Sequence, residues 1–161
     1  MSLLQPRQIF DTDITCTVSG VSERGGVMSF VPAVNGLCAY ANAAAVSGLL
    51  VQPAGILLDD VEALNFFNHP EYRQRNVVPQ GSVVGLATDA EVWTDFVETT
   101  LAGITVGTYA PGDPLYLADD GKVSRNNGTF GNVAATALRP LIGRALSAVT
   151  SDGFLKVRID L

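Results

Sequence analysis

The segment GTYAPGDPLYLADDGKVSRNNG, residues 107–128, consists of short apolar runs separated by turn residues. Pro111-Gly112 suits a turn with proline at its second position and glycine next. The run LYLA (115–118) predicts a strand. Asp119-Asp120-Gly121 predicts a tight reversal, because Asp and Gly tolerate a positive φ. KVS (122–124) then predicts the returning strand, so the segment indicates a β-hairpin.

A similar pattern occurs on both sides of this hairpin. GSVVGLATDAEV (81–92) aligns without gaps on GDPLYLADDGKV (112–123), and GRALSAVTSDGFLKV (143–157) aligns with insertions. The alternatives are an internal repeat and the turn chemistry that all short hairpins share. A repeat of glycine turn, strand, aspartate turn and strand is typical of a β-meander or a small barrel.

The chain ends in the clearest strand pattern, GFLKVRIDL (153–161). Its apolar residues alternate with charged ones, which indicates a sheet with one face in solvent. The apolar face holds Leu155, Val157, Ile159 and Leu161, and the charged face holds Lys156, Arg158 and Asp160.

The N-terminal half gives weaker signals. ITCTV (14–18) and VMSFV (27–31) predict strands, and residues 39–50 and 59–67 predict short helices. Residues 1–13 predict an N-terminal arm whose removal leaves the fold intact. We therefore expect a mainly β protein, a compact β-sandwich or small barrel built from hairpins, with one or two short helices. Its single β-rich domain spans 14–161, and 77–161 is the best-supported β part.

The composition of the chain restricts its partners. The 161 residues are 47% hydrophobic and 16% charged, with a net charge of −6. The acidic balance and the scattered basic residues argue against nucleic-acid binding. The surplus of apolar residues suggests burial against other subunits. Residues 25–58 carry no charge, but prolines, glycines and asparagines interrupt them. We therefore expect buried strands and a short helix there, and no membrane span.

The residues that carry chemistry form no recognisable catalytic or metal-binding motif. His69 is the only histidine, and we expect a solvated or capping role for it. Asp59-Asp60 with Glu62, and Asp119-Asp120, suit a cap and a turn better than a cation site. Cys16 and Cys38 form either one disulfide or two buried thiols, of which buried thiols are the commoner case. We expect no catalytic residue, no metal and no cofactor.

Three motifs carry a resemblance to a known class of protein. YAPGDPLYLADDGKVS (109–124), followed by LIGRALSA (141–148) and DGFLKVRIDL (152–161), resembles small head-decoration (cement) proteins of tailed bacteriophages. The resemblance covers residues 77–161 and implies a β domain on the outer capsid surface of the virion, assembled in the host cytoplasm. It also implies a homotrimer that clamps neighbouring copies of the major capsid protein, without nucleic acid or membrane. On this interpretation the N-terminal arm contacts the capsid or other subunits through Leu3, Leu4, Ile9 and Phe10.

Two other functions remain open at this point. The first is a phage head-fibre part or a carbohydrate-binding β module that uses Trp93, Tyr109 and Tyr116. The second is a hydrolase that relies on carboxylates, because Asp89, Glu91, Asp95 and Glu98 lie close in sequence to Trp93 and Phe96. The absence of a nucleophile motif makes us expect that the protein is not an enzyme.

Overall fold

The computed structural model describes residues 3–31, 36–40, 52–60, 77–78, 80–101, 104–105, 107–127 and 139–161. They form a mainly β structure, a closed five-stranded barrel with further strands attached, which confirms the predicted class. The strands are β1 (Leu3–Val18), β2 (Ser22–Glu23), β3 (Val27–Phe30), β4 (Leu37–Tyr40), β5 (Pro53–Asp60), β6 (Val77–Val78), β7 (Val83–Thr94), β8 (Thr100–Leu101), β9 (Ile104–Thr105), β10 (Pro114–Leu117), β11 (Val123–Ser124), β12 (Leu141–Ala145) and β13 (Leu155–Asp160).

Helical structure is scarcer than the sequence predicts. Within the described ranges the only helical element is a 3₁₀ turn at Asp119–Gly121. The predicted helix at 39–50 begins on residues that belong to β4, and the predicted helix at 59–67 begins on residues that belong to β5. The rest of both predicted helices lies outside the described residues.

The barrel closes through the pairing order β1-β4-β3-β5-β7, with β7 returning to β1. Every barrel strand contributes to one buried apolar cluster, together with Val78 from β6. Its members are Cys16, Val18, Met28, Cys38, Ala54, Leu57, Val78, Val84 and Leu86. The described part of the uncharged segment 25–58 thus supplies buried strands, as predicted. Among the described residues, no helix is long and apolar enough to span a membrane.

The two cysteines lie inside this barrel. Cys16 on β1 and Cys38 on β4 are fully buried, and their sulfur atoms are joined in a disulfide. Their Cα atoms are 5.9 Å apart, within the range that disulfides span. The parallel pairing of Val18 with Cys38 places the two strands side by side at this point, so the commoner alternative of two free thiols is wrong for this pair.

Strand β7 belongs to both halves of the molecule. Residues 84–87 pair with β5 and complete the barrel, whereas residues 89–94 pair with β13. On its other edge β7 pairs with β1, where Ala87 is opposite Thr12 and Asp89 is opposite Asp11. Thr88 is therefore an extra residue, and the resulting β-bulge marks the change of partner.

The hairpin predicted at 81–92 is not formed, because residues 83–92 belong to the single continuous strand β7. The aligned unit at 112–123 does reverse, because Asp120 and Gly121 adopt φ values of 56° and 71°. The corresponding residues upstream are Asp89 and Ala90, so that unit lacks the glycine. Without a residue suited to positive φ, the chain continues in the extended conformation.

Beyond β7 the sheet continues through β13, β12, β10 and β11. The predicted alternation in β13 is confirmed, since Leu155, Val157 and Ile159 are fully buried while Lys156 and Arg158 are half-buried. Leu161 lies past the strand and is 44% exposed, contrary to its predicted place on the apolar face. A second core joins this sheet to barrel residues such as Val27 and Ile56.

Residues 3–13, which the sequence analysis assigned to an N-terminal arm, are part of a strand in this structure. Strand β1 is 16 residues long, and Leu3 is already paired with Thr94 of β7. The local sequence did not indicate this, because Pro6 and four register shifts interrupt its alternation. Its partner is β7, and the pairing runs from Leu3 opposite Thr94 to Thr17 opposite Val83.

Candidate functional site

The outer face of the sheet formed by β1, β7, β13 and β12 carries two rows of polar and charged side chains. Successive strands place Gln8, Glu91, Arg158 and Arg144 opposite one another. In the neighbouring row, Asp11, Asp89 and Asp160 are opposite one another. The other side of the same strands faces the core, because Ala90, Val92 and Val157 are fully buried.

Ion pairs on this face connect β7 to β13. The Nη2 atom of Arg158 lies 2.8 Å from Oδ1 of Asp89, and its Nη1 atom lies 3.6 Å from Oε1 of Glu91. Lys156 Nζ is 3.3 Å from the other Glu91 oxygen. Two of the four carboxylates considered for hydrolysis are thus occupied by basic side chains.

The other two carboxylates have different environments. Glu98 is buried in an ion pair with Arg139, with N–O distances of 2.6 and 3.1 Å, and Asp95 is exposed after the end of β7. The four acids therefore do not converge on one cleft. Among the described residues, no group of three or more His, Cys, Asp or Glu side chains is placed to hold a metal ion.

Phe10 stands at the edge of the charged face and is 55% exposed. The guanidinium carbon of Arg158 lies 4.4 Å from the centre of its ring, a cation–π arrangement. Phe10 has no partner on β7, because the register shifts between Ile9 and Asp11. This bulge presents the ring to solvent, and the neighbouring Ile9 is 37% exposed.

The structure brings the four predicted contact residues onto one strand. Ile9 and Phe10 are exposed apolar side chains, as a contact role requires. The backbones of Leu3 and Leu4 pair with Thr94 and Trp93, while their side chains lie outside the described part of the structure. The sequence analysis named these four residues but gave no sign of the arginine against Phe10, which comes from a segment almost 150 residues away in sequence.

The first half of β1 is poorly suited to receiving another strand. In the described residues, β4 pairs only with Thr17 and Val18, so no described strand covers the outer edge of residues 3–11. However, Pro6 and register shifts on both sides of Ile9 interrupt this edge. Prolines and bulges are the features that natural sheets use to prevent edge-to-edge pairing. A partner would therefore contact the side chains of this region.

A buried polar cluster lies on the core side of the molecule, around Glu98 and Arg139. The Tyr109 hydroxyl donates a 2.6 Å hydrogen bond to the Glu98 carbonyl oxygen. Burial raises the pKa of Tyr109 to about 12, because the phenolate would lose its hydration. The Arg139 backbone N–H donates to the Asn127 carbonyl oxygen. This cluster connects the segment after β7 to the entry of β12 and has a structural role.

The remaining predicted residues divide into three groups. Trp93 and Tyr116 are half-buried, but Tyr109 is 4% exposed, so its ring is not available to stack on a sugar. Asp119 and Asp120 form the predicted tight turn. His69 and Glu62 lie outside the described residues, as do the side chains of Asp59 and Asp60.

Comparison with known proteins adds no family to this description. A scan against models of protein families finds no match for the chain. A search of curated proteins finds no match either. The resemblance to phage head-decoration proteins therefore rests on the quoted motifs and stays a prediction.

Proposed function

We propose that this chain is a structural virion protein that decorates the outer capsid surface of a tailed bacteriophage. It stabilises the shell by clamping neighbouring copies of the major capsid protein, and it acts as a homotrimer. The proposal is supported by the motif resemblance over residues 77–161 and by one structural observation. That observation is the exposed Phe10, held in place by Arg158 at the edge of the sheet.

Phe10 has the properties of an interface anchor. An aromatic side chain buries a large apolar area on contact, and aromatic residues are enriched among the residues that dominate binding energy. Arg158 restricts the ring before any partner arrives, which lowers the entropy cost of ordering it. The neighbouring Ile9 is also exposed, although it pairs with the core-facing Ala90.

The stabilising effect follows from mass action. A protein that binds the assembled shell and not its dissociated subunits shifts the equilibrium toward the shell. Three copies held in one trimer raise the apparent affinity without strengthening any single contact. The net charge of −6 also favours repulsion between decorated particles and keeps them dispersed.

The test is co-sedimentation with expanded heads assembled from the major capsid protein of the phage that encodes the chain. We expect the Phe10→Ala variant to bind the heads about tenfold more weakly than the unaltered protein. Val21→Ala is the matched control, because Val21 is 67% exposed but precedes β2, away from this edge. Equal binding by both variants would contradict the role of Phe10, provided that their circular dichroism spectra agree.

The carbohydrate-binding alternative has one observation in its favour. Trp93 is half-buried on the outer face, between Lys156 and the backbone of Leu4. A change in Trp93 fluorescence on addition of glycans, together with no binding to heads, would favour this function over decoration.

A further inference from the structure

A cleft of about 280 Å³ opens on the outer face, between the β12–β13 pair and the turn at Pro111-Gly112. Glu91, Arg144 and Arg158 supply its charged lining, and Pro111, Gly112, Ala145 and Leu146 supply the rest. The backbone groups of its wall are already paired. The Gly112 N–H donates to the Ala145 carbonyl oxygen, and the Leu146 N–H donates to the Lys156 carbonyl oxygen. Any polar ligand must therefore be recognised by the side chains.

The charges of this cleft are incompletely neutralised. Arg158 has Asp89 and Glu91 as partners, whereas Arg144 forms no ion pair or side-chain hydrogen bond in the described part of the chain. Arg144 is exposed and directly opposite Arg158 in the β12–β13 pair. Like charges at directly opposite positions of a sheet destabilise it. An anion beside Arg144 would supply the counter-charge that Asp89 and Glu91 already supply to Arg158.

We infer that this cleft binds a carboxylate side chain of a partner protein, with Arg144 as the principal donor. The planar guanidinium matches a carboxylate with two parallel hydrogen bonds. Arg144, Arg158 and Glu91 together give the lining a formal charge of +1, which suits a monoanion. A phosphate dianion is disfavoured, because Glu91 lines the same cleft and repels the second charge.

The non-polar lining suits the rest of the ligand. Pro111 and Leu146 provide apolar walls for the aliphatic stem of an aspartate or glutamate side chain. The cleft also continues the surface around Phe10, because Arg158 lines the cleft and contacts the Phe10 ring. One partner surface can therefore place an apolar residue beside Phe10 and an acidic residue beside Arg144.

The inference that a capsid subunit supplies this carboxylate rests on the proposed function. The inference that the cleft binds a carboxylate does not. The first experiment therefore uses small probes. The arginine side-chain NMR signals of the full chain are followed while acetyl-Ala-Glu-Ala-amide is added, and the titration is repeated with the glutamine peptide and with inorganic phosphate. We expect saturable shifts of Arg144 with the glutamate peptide, and weaker binding of the other two probes.

Substitutions of Arg144 test whether this residue binds the glutamate peptide. Arg144→Gln is expected to weaken binding of the glutamate peptide about tenfold, and Arg144→Lys to weaken it less, because a lysine keeps the charge but loses the planar fork. Lys122→Gln is the matched control, since Lys122 is exposed in the β10–β11 turn and the substitution removes the same charge. Equal effects of Arg144→Gln and Lys122→Gln would overturn the inference, as would tighter binding of phosphate or of the glutamine peptide.

Co-sedimentation of the same variants with expanded heads then distinguishes the decoration function from carboxylate binding by the cleft. Loss of head binding in Arg144→Gln but not in Lys122→Gln supports a capsid carboxylate in the cleft. Glutamate-peptide binding without any head binding supports the cleft and contradicts the decoration function.

Discussion

At the scale of single residues, burial determines which charges matter for stability. Glu98 and Arg139 form a two-point ion pair with side-chain exposures of 8% and 6%. The pairs on the outer face are partly hydrated, and Lys156 is 35% exposed. The sequence could not distinguish these cases, because Glu98 was one of four nearby acids and its partner lies 41 residues away.

Removal of one member of the buried pair is expected to destabilise the fold strongly. Arg139→Met leaves the Glu98 carboxylate buried without a counter-charge, which costs about 3–5 kcal/mol. Lys156→Met breaks a partly exposed pair and is expected to cost less than about 1 kcal/mol. Urea denaturation of both variants measures the difference, and similar losses in the two proteins would show that the Glu98–Arg139 pair is not held in a low-dielectric interior.

The pKa of Tyr109 gives the fold a dependence on alkaline pH. Its pKa is about 12 in the folded chain and near 10 in the unfolded chain, so the folded state holds this proton more tightly. The corresponding stability is fully present below pH 10 and is lost as the pH rises through 12. We expect the unfolding free energy to fall over this range in the unaltered protein, beyond the fall seen in Tyr109→Phe.

Chemical denaturation at several pH values between 8 and 12 measures this effect as the difference between the two proteins. Below pH 10, Tyr109→Phe is less stable because it lacks the hydrogen bond to the Glu98 carbonyl oxygen. The difference in unfolding free energy between the unaltered protein and Tyr109→Phe is expected to narrow toward pH 12. A difference in unfolding free energy that stays constant or widens with pH would contradict the burial of the Tyr109 hydroxyl.

At the scale of elements, strands with regular alternation were predictable and shared strands were not. The β13 strand followed from its period of two, and the β10–β11 hairpin followed from its aspartate-glycine turn. The partners of β7 could not be predicted from its own sequence. Its bulge at Thr88 arises from pairing with three other strands, β1, β5 and β13, and no local turn residue marks it. The part of β1 that precedes the predicted strand at 14–18 was missed for the same reason, since its pairing with β7 is entirely long-range.

Close approach between strands makes Gly143 sensitive to substitution. Gly143 has a φ of 156°, and a Cβ atom at this position would overlap the carbonyl oxygen of Arg158 on β13. Gly143→Ala is expected to destabilise the protein by at least about 2 kcal/mol, through strain and displacement of β12. Gly20→Ala is the control, because a Cβ atom there meets nothing within 4 Å. Thermal unfolding of the two variants compares them, and equal melting temperatures would refute the close β12–β13 contact.

At the scale of the whole molecule, the described strands form two cores joined by β7. The barrel interior and the barrel–sheet interface bury many of the apolar residues that suggested subunit contacts, including Val27, Met28 and Leu57. The apolar surface relevant to partners is consequently smaller than the composition implied, and it includes Phe10 and Ile9. The sequence predicted these two residues for a contact site.

The charged cleft was not predictable from the sequence alone. Glu91, Arg144 and Arg158 come from three strands whose order in the sheet differs from their order in the chain. In the sequence, Arg158 belongs to the charged face of the last strand, and Glu91 is one of four nearby carboxylates. The strand register places Arg144 opposite Arg158, and no described residue forms an ion pair with Arg144.

The decoration function is tested most directly by co-sedimentation of the unaltered protein with expanded heads and with unassembled major capsid protein. The proposal predicts saturable binding to the heads, a trimer in the bound or free state, and no binding to the unassembled subunits. A protein that stays monomeric and remains in the supernatant at every head concentration would contradict it.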